Sequence, residues 1–309
     1  MSFLPVLLIL LYWSHGLETA PALTEAGVEQ ILAPPDQVAA WNKAGFKATA
    51  MTQAGLDART RLATPRLAPR SGVASPTRAP WVDANGWRLV RNSGEKFYYD
   101  LPRGRAALAA AEAFAYDADA VLKIDPTDLA EFGKMMTFLR QLSESRLPTI
   151  ADLAIVDDGS TLAGEVMNLL SRRNLLYRVV TAPSPQFRIN IQLGAKEYPR
   201  EDAADPSAFV LKIRRQLRDE NRSLRIYGSE VVICRLTSDG RRARLHLLNY
   251  GGREIEGLRV RLRGAYRKGE AAVFGAGQTQ LTDYLVTDGA TEFSLPRMTS
   301  YVVVDLTMK

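Results

Sequence analysis

AVLKIDPTDLAEFGKMMTFLRQL, residues 120–142, contains the transition that decides the fold. An apolar run ends at Asp125-Pro126, and beyond it Leu129, Phe132, Met136 and Leu139 recur at helical spacing. An aspartate followed by proline starts a helix well, because the carboxylate accepts free backbone N–H groups and proline loses no hydrogen bond at the first helical position. A short strand running directly into a helix of this length is half of a parallel βαβ unit. The same order recurs on both sides. VEQIL (28–32) precedes PDQVAAWNKAG (35–45) and FKATAM (46–51), and KFYYD (96–100) precedes GRAALAAAEAFAYDAD (104–119). LAIVDD (153–158) precedes TLAGEVMNLLSRRN (161–174) and LYRVV (176–180).

The pattern then changes. FRINIQL (187–193) reads as a further strand, and Asp205-Pro206 starts a helix reaching about Glu220. From Leu224 onward, SEVVICRLT, ARLHLLN, GLRVRLR, ATEFSL and SYVVVDL alternate apolar and polar residues with period two, separated by turns such as Ser238-Asp239-Gly240 and Thr287-Asp288-Gly289. Short strands without helices predict an antiparallel β-sandwich. The expected fold is therefore α/β plus all-β: a shortened (β/α) barrel-like or open parallel-sheet region over 21–148, a small βαβ domain over 149–223, and a C-terminal antiparallel β-sandwich over 224–309. Leu62 to Pro80, LATPRLAPRSGVASPTRAP, is a long connection without periodicity.

The N-terminal MSFLPVLLILLYWSHGLETAPA carries an apolar run from Phe3 to Trp13, shorter than a membrane span and of signal-peptide length. Residues 1–20 are accordingly expected to be a removable signal peptide, and the mature chain a secreted or periplasmic protein that is not integral to a membrane. In 309 residues there are two histidines and one cysteine. With His15 in the expected leader, the remainder cannot build a His/Cys zinc site. No metal and no cofactor are expected, since phosphate-binding and dinucleotide motifs are also missing from the sequence. His246 alternates with Leu245 and Leu247, which predicts a solvated position on the polar face of a strand, and Cys234 in VVICRL reads as a buried small hydrophobe.

The net charge is +6, and residues 224–309 hold 13 Lys or Arg against 9 Asp or Glu. Arg242, Arg244, Arg259, Arg261 and Arg263 are expected to form one stripe on neighbouring strands. The stripe reads either as a solubilising outer face or as a surface for an acidic partner. Nucleic acid is excluded as the partner, because no aromatics are interleaved with these arginines to stack on bases.

Ligands of parallel α/β sheets bind beyond the carboxyl ends of the strands. Asp100, Asp125, Asp157 and Asp158 end three such strands. Paired carboxylates can hydrolyse glycosidic bonds without metal or histidine, so a pair drawn from Asp100, Asp125 and Asp158 is the candidate catalytic set. Each can equally be a helix cap or turn residue. In APWVDANGWRLVRN (79–92), Trp81, Asp83, Asn85 and Trp87 offer indole faces and polar groups of the kind that line a sugar cleft. The alternative is a structural loop in which the tryptophans plug the core and Asn85-Gly86 turns the chain.

RIYGSEVVICRL (225–236), RLHLLNYGG (244–252), GLRVRLRGAY (257–266) and FSLPRMTSYVVVDL (293–306) look like the accessory β-domain that follows the barrel in bacterial secreted glycoside-hydrolase-like proteins. The chain resembles that group over about a third of its length in these phrases, and elsewhere in architecture. A complete (β/α)₈ barrel takes roughly 250 residues, whereas about 200 lie between the expected leader and the sandwich. The resemblance implies an exported carbohydrate-associated protein with a polysaccharide or oligosaccharide as partner. It would hydrolyse glycosidic bonds with a carboxylate pair or, as the alternative, serve as a non-catalytic glycan-binding or cell-surface scaffolding protein. No glycosidase catalytic motif matches residue by residue.

Overall fold

The computed structural model describes residues 9–68, 81–143 and 145–308, and most of the Pro-rich connection lies outside them. The chain divides into two compact units, the first formed by residues up to 66 and from 92 to 143, the second by the intervening segment and everything from 145.

Strands β1 (Ile9–Tyr12), β2 (Gln30–Ala33), β3 (Lys47–Ala50) and β4 (Thr60–Arg61) alternate with helices α1 (Ala20–Glu25), α2 (Val38–Lys43) and α3 (Gln53–Asp57). Strands β5 (Arg66–Ala68) and β6 (Trp81–Asp83) pair with each other, and helix α4 (Gly86–Arg91) follows. Then come β7 (Lys96–Asp100), α5 (Ala106–Ala115), β8 (Asp119–Lys123) and α6 (Leu129–Gln141). The sheet of the first unit runs β3-β2-β1-β8-β7-β4, and each of its pairings is parallel. Its last strand lies beside its first, which is the cyclic order of a (β/α) barrel. Among the described residues β3 and β4 do not pair, so the sheet is barrel-like and open.

The segment expected to be removed as a leader is here the middle of that sheet. Leu11 is in register with Ile31 on one side and Leu122 on the other, and Leu11, Tyr12 and Trp13 are buried. The Trp13 indole N–H donates to Thr19 Oγ1 at 2.9 Å. The physical reason is that a fully buried parallel strand is as continuously apolar as a signal-peptide core, so hydropathy alone does not separate the two.

Two close fits set the helix layer of the first unit. Helix α6 meets the end of α1 at Gly133, where an added Cβ would lie 2.1 Å from the Ala26 carbonyl oxygen. Helix α5 is capped from outside itself: the buried Asp128 carboxylate accepts from the N–H groups of Gly104 (2.7 Å), Arg105 (3.1 Å) and Ala106 (3.3 Å). Three otherwise unsatisfied donors at the start of α5 are thereby held by the start of α6.

In the second unit, β9 (Leu153–Val156), α7 (Thr161–Arg172), β10 (Tyr177–Val180), β11 (Asn190–Ile191) and α8 (Pro206–Leu217) form a parallel sheet ordered β10-β9-β11 with two helices. Asp205 caps α8 as its sequence predicts, accepting from Ser207 and Ala208. Trp87 and Val90 of α4 pack on this small core, so the Trp-rich stretch contributes a helix to it where a turn was expected at Asn85-Gly86.

Strands β12 (Leu224–Tyr227), β13 (Val232–Ser238), β14 (Arg242–Asn249), β15 (Ile255–Arg263), β16 (Lys268–Val273), β17 (Gly277–Thr279), β18 (Thr282–Thr287), β19 (Ala290–Met298) and β20 (Tyr301–Thr307) make the sandwich. One sheet is ordered β12-β15-β19-β18 and the other β13-β14-β20-β16-β17, all antiparallel. Leu245, Leu247, Val302 and Val304 of one face Val260, Phe293 and Leu295 of the other, with Cys234 buried among them as expected. Asn174 joins the sandwich to the α/β layer: its side-chain N–H donates to Val232 O at 2.9 Å and its Oδ1 accepts from Cys234 N at 2.8 Å.

Two expectations about the sandwich are corrected. Strands β14 and β15 belong to different sheets, so the five arginines are not one stripe. Arg244 is buried and clasped by Asp305 through two contacts of 2.6 and 2.7 Å. His246 is not solvated either: it is buried, with Nδ1 at 2.6 Å from the Tyr301 hydroxyl. A charged or polar residue alternating along a strand marks the face opposite the core, but not whether that face meets water.

Three measurements follow from this architecture. Deleting residues 1–20 removes β1, and the truncated chain is expected to lose the cooperative thermal transition of the first unit by calorimetry. Asp128→Ala should cost about 2–3 kcal/mol in denaturant unfolding, combining a lost cap with unpaired buried amides, and Asp128→Asn less. Burial first, then Arg235 and Arg244, hold the His246 imidazole well below its ordinary 6.5, so the folded state favours the neutral ring. The unfolded chain then binds the additional proton: stability is fully present above pH 6.5 and is lost as pH falls below it. The expected slope is about 1.4 kcal/mol per pH unit, and unfolding at pH 7 and pH 5 should show it flattened in His246→Gln.

Candidate functional site

The parallel sheet of the first unit presents alternate residues to its two faces, and one face carries a small core of Tyr12, Leu32, Leu56, Tyr98 and Val121. Register sets polar side chains in line with members of this core, toward the carboxyl ends of the strands. Leu32, Tyr12, Lys123 and Asp100 stand side by side across β2, β1, β8 and β7. One step below, Leu10, Val121, Tyr98 and Arg61 do the same across β1, β8, β7 and β4.

At this rim the Asp100 carboxylate lies between two cations, with Arg61 Nη2 at 3.1 Å and Lys123 Nζ at 3.6 Å. Side-chain exposures of 69% for Arg61, 45% for Lys123 and 35% for Asp100 leave the group open to a ligand. Beneath it the phenols are buried. Burial, then the Asp100 charge, pushes the Tyr98 hydroxyl up to about 12, and burial with Asp36 raises that of Tyr12. Both therefore remain neutral hydroxyls able to donate and accept hydrogen bonds. An ammonium, a guanidinium, a carboxylate and two phenols above an apolar floor suit recognition of a polyol.

Asp125 leaves the strand next to that of Asp100, two residues beyond β8, but its carboxylate is committed elsewhere. It accepts from Thr127 N at 2.9 Å and Thr127 Oγ1 at 2.5 Å, and the hydroxyl contact leads the causes that hold its carboxyl below the usual range. The capping alternative describes it.

Asp158 lies in the second unit, as do Trp81, Asp83, Asn85 and Trp87. Asp158 accepts from Ser160 N at 2.9 Å and is ion-paired with Arg200. Its carboxyl is held low by these hydrogen bonds, which outweigh the opposing effect of burial, the largest single cause. Its neighbour Asp157 takes a bidentate clasp from Arg91, with both contacts at 2.8 Å, and accepts from Gly159 N. Ser160 then caps α7.

The tryptophans are similarly engaged. Arg172 lies over the Trp81 ring at 4.2 Å and Arg88 over the Trp87 ring at 4.3 Å, so one face of each indole is already covered. Trp81 Nε1 donates to Asp83 Oδ1 at 3.0 Å, and Arg88 donates to the fully buried Asn85 at 3.2 Å. The seven candidate positions thus divide: Asp100 and Asp125 share a sheet edge in the first unit, and the other five belong to the second. Arg61, Lys123, Tyr12 and Tyr98 were not singled out from sequence. The available signal was the spacing Tyr98-x-Asp100 in KFYYD, which puts both on one face of a strand, whereas Tyr12 was assigned to the leader.

No protein-family model matches the chain, and no curated protein matches it in sequence. Among solved structures it is similar to α-L-fucosidase isoenzyme 2 from Paenibacillus thiaminolyticus, at 9% identity and a TM-score of 0.56 over 93% of this chain and 71% of the fucosidase. A cold-adapted β-galactosidase from Rahnella sp. R3 gives 10% identity and a TM-score of 0.42 over 72% of this chain and 56% of its own. The β-galactosidase Gan42B from G. stearothermophilus gives 10% and 0.38 over 75% and 52%. The chain spans little more than half of each galactosidase. At such identities the fucosidase likeness is one of fold: a parallel β/α region followed by a β-sandwich, in the manner of glycoside hydrolases.

Proposed function

We propose that this chain is a carbohydrate-associated protein on a glycoside-hydrolase-like scaffold, and that the rim around Asp100 and Lys123 binds a sugar without cleaving it. One observation carries the second half of the reading. Glycoside hydrolysis needs a carboxyl that keeps its proton at working pH as general acid, and a partner carboxylate close by. Asp125 and Asp158 are both shifted the other way, toward ionisation, and Asp100 is clasped by two cations. The Asp152 carboxyl is raised, by burial. Its two oxygens are occupied by Ser223 at the foot of the sandwich.

The scaffold supports the sugar half of the reading, and so does the chemistry of the rim. Lys123 and Arg61 donate to ring hydroxyls, Asp100 accepts from them, and the apolar floor suits the carbon face of a pyranose.

The test is a panel of aryl glycosides, fucoside and galactoside included, together with calorimetric binding of the matching free sugars. No release of aryl alcohol above the blank is expected, with measurable binding of at least one sugar. Lys123→Ala and Asp100→Asn should each weaken that binding by about tenfold or more, the loss expected for a hydrogen bond to a charged group. Turnover that disappears in Asp100→Asn would instead make Asp100 part of a hydrolytic pair.

A further inference from the structure

The charge of the sandwich is unevenly distributed between its two sheets. On the β13-β14-β20 sheet, Arg244 is buried and neutralised by Asp305. On the outward side of the other sheet the balance is different. Strand β12 sets Arg225 opposite Arg261 and Tyr227 opposite Arg259. Strand β19 sets Glu292 opposite Arg261 and Ser294 opposite Arg259, and β18 adds Leu285 beside Glu292. The residues between them, Leu224, Val260, Leu262 and Phe293, point into the core, so these side chains share the opposite face.

Glu292 is the acidic member of these two rows, and it clasps two arginines at once, Arg259 at 2.6 Å and Arg261 at 3.1 Å. Arg225 carries a buried Nε with no hydrogen-bond partner, and its guanidinium lies 5.9 Å from the centre of the Tyr227 ring. Arg263 extends the row along β15, using one N–H on the Glu220 carbonyl. Arg225, Arg259, Arg261 and Arg263 cluster around Glu292 on this face, with Tyr227 41% exposed at its edge; Glu256, opposite Arg297, and Asp283, close enough to act on Arg259, add two further carboxylates. Neighbouring strands are about 4.8 Å apart and alternate residues about 6.8 Å, so the cations form a flat grid with no pocket-like depth in its geometry.

We propose that the outer face of the β12-β15-β19-β18 sheet is a docking surface for an extended anionic polysaccharide, independent of the rim in the first unit. The charge of the grid complements repeated carboxylate or sulfate groups along one chain, and guanidinium forks bind such groups bidentately. Glu292 holds two of the forks in place. Tyr227 offers a ring for the apolar face of a sugar, and exposed Thr282 supplies a hydroxyl in the same row. A bilayer would call for apolar side chains across the face; here exposed Leu285 and Val286 are confined to the edge strand β18.

Binding is measured by biolayer interferometry with the full chain against immobilised polygalacturonate and heparin, with dextran as the neutral control and phosphatidylglycerol vesicles as the lipid control. Binding to at least one of the two polyanions is expected, at least about fivefold weaker at 200 mM than at 50 mM salt as condensed counterions cease to favour the complex. R259E/R261E should reduce it by at least about tenfold with an unchanged melting temperature. Should that variant melt early, Glu292→Gln decides, since removing the carboxylate that pairs with Arg259 and Arg261 is expected to tighten binding about two- to fivefold. Lys123→Ala should leave it unaltered, which separates this surface from the rim. Lack of binding to both polyanions, equal affinity for dextran, tighter binding to the vesicles, or insensitivity to both sets of substitutions would overturn the proposal.

Discussion

The first unit depends on one strand being hydrogen-bonded along both edges. Ile9–Tyr12 lies between β2 and β8, and without it the sheet would become two separate fragments, β3-β2 and β8-β7-β4. The requirement is severe because each fragment would then have an open, apolar edge. It also explains the strand's composition: a parallel strand covered on both faces has no polar face to show. Its Tyr12 delivers the buried phenol next to Lys123, so the strand that closes the sheet also furnishes part of the rim.

Arginine accounts for much of what the aspartates do. Asp100 is paired with Arg61, Asp119 with Arg59, Asp157 with Arg91, Asp158 with Arg200 and Asp305 with Arg244. A carboxylate held by a guanidinium fork is well placed to fix a turn or a helix start, and poorly placed to carry a proton to a leaving group. Asp152, whose carboxyl burial raises, has no arginine clasp of this kind among the described residues and ties Ser223 to the start of the sandwich.

The βα alternation and the sandwich were readable from sequence because both rest on periodicity, which burial of one face imposes directly. Asp125-Pro126 and Asp205-Pro206 gave true helix starts for the same local reason. What was not readable is what depends on partners distant in sequence. Lys123 and Asp100 meet only because β8 and β7 are neighbours, and Arg91 reaches Asp157 across 66 residues. His246 and Arg244 had the alternation of an exposed strand face and are buried nonetheless, since a strand's pattern distinguishes its two faces without saying what covers the second.

Asn174 has a consequence for how the sandwich can be used. With a positive φ of 51°, it turns its amide so that one side chain mimics a passing strand, giving a donor to Val232 and taking one from Cys234. Just beyond, Ile150 N and Pro148 O pair with Leu236 and Ser238 on the same strand. The outer margin of β13 is thus sealed by residues from the preceding α/β layer, in the way natural sheets protect edges from adding further strands. The β-sandwich is for this reason not a transferable module: excised at residue 224 it would carry an unpaired, apolar margin, and its solubility would be inherited from the segment left behind.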